Sequence, residues 1–201
     1  MNNRLKYNTL IIFISLAVNF TFTYIVLMLK IPFLFMDSIG TVLSAVVLGP
    51  VYGAIVGILT NVILSFSLSY SHLYFAIINA VIGLVVGFIA YKFGFNFMSS
   101  VITGIIIGII APLIGTPISI MLSDGFTGGT VDNFINSLVD KGINVSKASF
   151  IARILANILD KILSCLIVYI AVTKIVFFQK VVNVENNKEK EIEEKEETDD
   201  I

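Results

Sequence analysis

From residue 8 onward the chain is a series of long apolar runs separated by short punctuation, with no alternation of apolar and polar positions. A helix needs about 20 apolar residues to cross a hydrocarbon core of roughly 30 Å. Inside that core every backbone polar group must be satisfied by a helix or a closed barrel. The runs are continuous, which excludes barrel strands, whose sides alternate. The punctuation predicts six helices, at residues 8–29, 38–48, 51–66, 73–91, 98–121 and 150–178. The second and third are divided by Gly49-Pro50, where proline ends one helix and opens the next. Both are short for a full crossing, so tilt, local thinning or a partly re-entrant hairpin has to accommodate them. The longest connection, residues 123–149, contains Gly125-Phe126-Thr127-Gly128-Gly129, then Val131, Phe134, Ile135 and Leu138 at helical spacing. The expected fold is therefore an all-α integral membrane protein, a compact bundle of six transmembrane helices with an external cap loop that carries a short amphipathic helix.

Composition agrees, because only 13% of the 201 residues are charged, against about 25% in soluble domains. Between Tyr7 and Tyr91 the only charged side chains are Lys30 and Asp37. The formal net charge of −1 hides two populations: from Asn183 onward nine acidic side chains face three lysines, a net of −6, so the rest carries +5. Residues 1–180 are accordingly expected to form the membrane domain, and residues 181–201 an acidic, disordered tail. Arg4, Lys6, Lys92, Lys174 and Lys180 fall on one side of a six-span arrangement, and Lys30, Lys141 and Lys147 on the other. The excess predicts a multi-pass protein of the cell membrane with both termini in the cytoplasm. The first apolar run is too long for the core of a signal peptide and lacks a small-x-small cleavage site, so it reads as the first span. Cys165 is the single cysteine, which rules out an internal disulfide.

The chain has no Walker-type phosphate loop, metal-ligand cluster or nucleophile elbow, which argues against an enzyme or an autonomous ATPase. No cofactor and no nucleic-acid partner is expected, and the bilayer is the surrounding medium. The informative residues are polar ones embedded in apolar helices, which need partners or a water-filled cavity. With the outer interface near Leu68, His72 and Phe150, the amides Asn61, Asn79 and Asn157 each lie about seven residues inward, a shared depth of roughly 10 Å. They either line a pocket or hydrogen-bond between helices as packing glue. Arg153, Asn157, Asp160 and Lys161 share one face of the last helix or its edge, and Asp160 and Lys161, being adjacent, are not expected to face each other. Arg153 and Asp37 are expected nearer the outer opening, and Arg153 is suited to an anionic ligand group. His72 stands at the mouth between Tyr70 and Tyr74, where an interfacial aromatic belt also accounts for the tyrosines. Gly53 and Gly57, Gly83 and Gly87, and Gly104 and Gly108 form small-xxx-small pairs suited to close helix packing. The candidate substrate-binding set is thus Asp37, Asn61, His72, Asn79, Arg153, Asn157 and Asp160.

The segment Ile31-Pro32-Phe33-Leu34-Phe35-Met36-Asp37-Ser38-Ile39-Gly40-Thr41, followed by Leu48-Gly49-Pro50-Val51-Tyr52-Gly53-Ala54-Ile55-Val56-Gly57, resembles the substrate-binding S components of energy-coupling factor (ECF) importers. The resemblance extends over residues 10–178, with its recognisable motifs in the second and third helices. It implies a subunit that captures a vitamin or related micronutrient at the outer face. It also implies partners: a transmembrane coupling protein and two cytoplasmic ATPase subunits. Family members dock on the coupling protein through an Ala-xxx-Ala pattern on the first helix. Here Ser15 and Asn19, or Ala17 and Thr21, hold comparable spacing, so Ser15 and Asn19 are the expected partner-binding residues. A membrane sensor and a stand-alone secondary carrier are the alternatives. The first would need an output module, and the second would favour internal repeats or a continuous polar path.

Overall fold

Glycine contacts fix how the helices run. The computed structural model describes residues 3–175 and residue 178; the tail expected at 181–201, and Lys180, lie outside them. Among the described residues there are seven α-helices: α1 (Asn3–Leu29), α2 (Ile39–Leu48), α3 (Pro50–Ser67), α4 (Ala76–Phe93), α5 (Phe97–Ser123), α6 (Val131–Val139) and α7 (Val145–Lys174). A 3-10 turn, Tyr70–Leu73, precedes α4. A Cβ added at Gly83 would collide with the backbone of Gly53, one at Gly57 with Asn79, and one at Gly87 with Pro50. The α3 and α4 backbones therefore cross antiparallel at closest approach, as small residues permit in apolar surroundings. Gly104 and Gly108 of α5 meet Ile162 and Ile158 of α7 in the same way. The glycine pairs predicted to serve packing do so inside the molecule.

α1 runs parallel to α3, since Asn8 donates to the Tyr52 hydroxyl near their starts and Asn19 donates to Thr60 Oγ1 further along, at 2.8 Å. This succession brings the starts of α1, α3 and α5 and the ends of α2, α4 and α7 to one end of the bundle. The opposite end carries the 3-10 turn, α6 and the connections around it. The sixth helix, α6, is the expected amphipathic cap: Val131 and Ile135 are buried, with Phe134 and Leu138 packed beside them against α7.

Five helical segments are long and apolar enough to cross a membrane: 5–29, 50–67, 70–93, 97–123 and 145–174. This makes the protein a multi-pass, all-α membrane protein. The expected sixth span differs. α2 has ten residues, about 15 Å at 1.5 Å per residue, or half of a hydrocarbon core. It starts beside the middle of α1, where Gly40 N–H donates to Asn19 Oδ1 at 2.6 Å, and runs from there to the Gly49-Pro50 corner. Eight of its ten residues are buried, so it is a half-helix enclosed by protein. Hydropathy predicted a crossing because it scores protein-facing and lipid-facing apolar side chains alike.

Residues 30–38 return from the cap end to that midpoint without forming a helix. Non-helical backbone at membrane depth is tolerated only where protein or a cavity encloses it and its polar groups are paired. Here the pairing comes from α7. Asp160 Oδ1 accepts the backbone N–H groups of Phe35 and Met36, at 2.9 and 2.8 Å. Lys161 Nζ donates to Asp37 Oδ1 at 3.0 Å, Ser38 Oγ at 2.8 Å and Asp160 Oδ2 at 2.7 Å. Contrary to expectation, Asp160 and Lys161 thus pair with each other as well as with the segment, because the long lysine stem folds its ammonium back over the preceding carboxylate. Lys30, Phe33 and Met36 all adopt positive φ, at 49°, 62° and 51°, a region few residues other than glycine occupy. The segment is therefore held in place by α7 against its own backbone preference. Nearer the cap, Thr130 donates to the Ile31 carbonyl and the Phe33 ring meets Phe134 of α6 edge-on at 5.4 Å.

Asp160→Ala would strand two amide donors and take from the buried Lys161 ammonium one of its two carboxylates. It should cost about 3 to 5 kcal/mol of stability, read as a large drop in the unfolding midpoint in detergent. Asp160→Asn keeps an oxygen for the two N–H groups and should cost distinctly less. Equal midpoints for wild type and Asp160→Ala would contradict this anchoring.

Candidate functional site

Because α2 begins halfway through the bundle, no helix fills the space between its start and the cap end. A cavity of about 220 Å³ occupies that region, and no α2 residue lines it. Its walls come from the end of α1 (Leu27), the re-entrant segment (Phe35, Asp37), α3 (Asn61), the 3-10 turn and α4, the middle of α5, and α7. Loop residues Thr127, Gly128 and Gly129 close it beside the cap.

Six of the seven residues expected to bind substrate line this one cavity: Asp37, Asn61, His72, Asn79, Arg153 and Asn157. The shared depth inferred for the three amides on α3, α4 and α7 thus corresponds to a common wall. Their hydrogen bonds are mostly local. Asn61 Nδ2 donates to Gly57 O at 3.1 Å and Asn157 Nδ2 to Arg153 O at 2.8 Å, each within its own helix. Only Asn79 reaches another element, through a long 3.5 Å contact to Asp37 Oδ2. Asn61 Oδ1 is buried with no hydrogen-bond partner, an arrangement that normally costs about 1 to 3 kcal/mol.

Arg153 stands at the cap end of the wall. Its Nε donates to Ser149 Oγ at 3.1 Å, and Nη2 to Gly125 O at 3.1 Å and Thr127 Oγ1 at 3.3 Å. Every one of these acceptors is neutral. Among the described residues no carboxylate lies within 4.0 Å of the guanidinium; both ion pairs formed belong to Lys161. Asp132 acts on Arg153 from farther away, and its own Oδ2 accepts the N–H groups of Thr127 and Gly128, shaping the loop over the cavity. At the inner end, Asp37 keeps 29% of its side chain exposed while the Lys161 side chain keeps 3%. Asp37 immediately precedes Ser38, the N-cap of α2, where the helix dipole favours a negative charge.

Three expected site residues stand elsewhere. Asp160 is 0% exposed and lies outside the cavity lining; its carboxylate is used up by the backbone of residues 35 and 36 and by Lys161, so it positions the wall and does not contact the contents. Ser15 and Asn19, expected on a partner face, are both 0% exposed. The Ser15 backbone packs against Gly40, and Asn19 bonds to Gly40, Thr41 and Thr60. They join α1 to α2 and α3, because a side chain this polar is costly on a lipid-facing surface. The exposed rings of Tyr70 and Tyr74 fit the interfacial belt, whereas His72 between them lines the cavity.

Several lining residues carried no sequence-level assignment. Phe75, the N-cap of α4, and Ile82 stand four residues before and three after Asn79, a spacing that a helical projection from Asn79 would have exposed, and Ile78 is its neighbour in the chain. Ala111, Pro112 and Gly115 line the α5 side, where small residues leave room. Lys161 lines it as well, with its ammonium already committed to three oxygens. The arrangement suits binding: a half-enclosed space with apolar walls, a carboxylate at one end and a guanidinium at the other. No family model, no curated protein and no solved structure matches the chain.

Proposed function

We propose that this chain is the substrate-binding S component of an ECF importer, which captures a vitamin-like micronutrient at the outer face and hands it on with partner subunits. The observation that carries the reading is the cavity at the cap end, where six side chains from five separate parts of the chain converge. The motifs around Pro32, Asp37 and Gly49-Pro50 that resemble that family fall on the re-entrant segment and the corner of α2, the parts that create the cavity. In this reading the cap end faces outward, both termini are cytoplasmic, and uptake is energised by a transmembrane coupling protein with two ATPase subunits. Docking on the coupling protein then uses residues other than Ser15 and Asn19.

Affinity purification from native membranes should bring down ATPase subunits. The chain reconstituted alone into vesicles should bind substrate without concentrating it. ATP-independent accumulation by the chain alone would refute the proposal in favour of a secondary carrier, and co-purification of a signalling protein in place of ATPases would favour a sensor.

Orientation is tested by impermeant thiol labelling of whole cells. Lys141→Cys in the exposed cap connection should label and Asn187→Cys in the tail should not, over a low background because Cys165 is buried. The opposite pattern would invert the topology.

A further inference from the structure

The two ends of the cavity carry opposite charge, and only the inner end holds a direct ion pair; at the cap end Asp132 acts on Arg153 from beyond contact distance. Lys161 spends its contacts on Asp37, Ser38 and Asp160, so two carboxylates share one ammonium and the inner end is left acceptor-rich. Asp37 Oδ2 has only the long contact from Asn79, and Asn61 Oδ1 has no partner. Eight residues earlier on α7, roughly 12 Å of helix rise away, the buried Arg153 guanidinium meets neutral acceptors alone. A buried cation is costly without a paired anion, and a guanidinium is well matched to a carboxylate or phosphate.

Building on the capture reading, we infer that the captured molecule is amphoteric: its anionic group pairs with Arg153 at the cap end, and its protonated amine or N–H donor edge meets Asp37 and Asn61 at the inner end. The occupant completes both ends at once. A molecule with one charge leaves either Arg153 without a directly paired anion or the second oxygen of Asp37 with only its long contact from Asn79. The same logic disfavours neutral apolar molecules, although the walls between the two ends are apolar.

The test uses the full chain in detergent and three matched triplets whose amino acid carries its two charges at opposite ends of the chain: 5-aminopentanoate, pentanoate and pentylamine; 6-aminohexanoate, hexanoate and hexylamine; 8-aminooctanoate, octanoate and octylamine. Within a responding triplet, the amino acid should raise the unfolding midpoint most and bind more tightly than either the acid or the amine. Arg153→Gln should weaken the amino acid by roughly 10- to 150-fold and leave the amine nearly unaffected. Should that variant fail to fold, Asn157→Asp, which sets a carboxylate four residues from Arg153 and removes the Asn157 donation to Arg153 O but none of the guanidinium's bonds, should shift preference from the amino acid to the amine. Acids or amines that stabilise as well as the amino acids would overturn the inference while leaving capture intact. So would silence from all nine compounds, and the importer reading would then stand or fall separately on co-purification of ATPase subunits.

Discussion

Inside a membrane bundle, a backbone N–H group that is not in a helix needs an acceptor supplied from elsewhere, and the N–H groups of Phe35 and Met36 find theirs in one oxygen of Asp160. A carboxylate accepts such bonds strongly. It is itself an expensive buried charge, and its other oxygen is met by Lys161 at 2.7 Å. The pair is thus a device for tolerating irregular backbone at depth. Lys161 reaches on to Asp37 and Ser38, so the last four residues before α2 are tied to the middle of α7. The positive φ angles at Phe33 and Met36 are sustained by these ties and would otherwise relax.

From that constraint the cavity follows. A chain forced to descend without helical turns to the middle of the bundle can begin α2 only there, and a ten-residue helix then leaves the cap half of its column empty. Close contacts of α3 with α4 and of α5 with α7 through glycine keep the outer wall shut. Residues 127–129 and α6 cover the end, and Asp132 and Arg153 fix the loop between them. The same side chain that braces this loop, Arg153, is also the cation that looks into the cavity.

Much of this was legible in the sequence, and what was not has identifiable causes. The long helices α1, α3, α4, α5 and α7 emerged from hydropathy alone, the α2–α3 corner from Gly49-Pro50, and α6 from the spacing of Val131, Phe134, Ile135 and Leu138. A depth argument brought Asn61, Asn79 and Asn157 to one wall because residues equally far from an interface on neighbouring helices meet at one level. The length of α2 was misjudged because burial in protein and burial in lipid select the same apolar residues. Asp160 was assigned to the ligand because its partners lie 124 and 125 positions away, beyond any local spacing rule. Ser15 and Asn19 were placed on a partner surface from spacing that is the same on every face of a helix. Their polarity was the better guide to where they point.

The account stands on the re-entrant segment being locked to α7. Amide hydrogen exchange resolved at residues 30–38 in the detergent-solubilised protein measures this directly. The amides of Phe35 and Met36 should exchange as slowly as those within α2, with protection lost in Asp160→Ala. Exchange at those two positions as fast as in the exposed connection at residues 141–142 would contradict it, since a loosely held segment could neither start α2 at the midpoint nor wall the cavity.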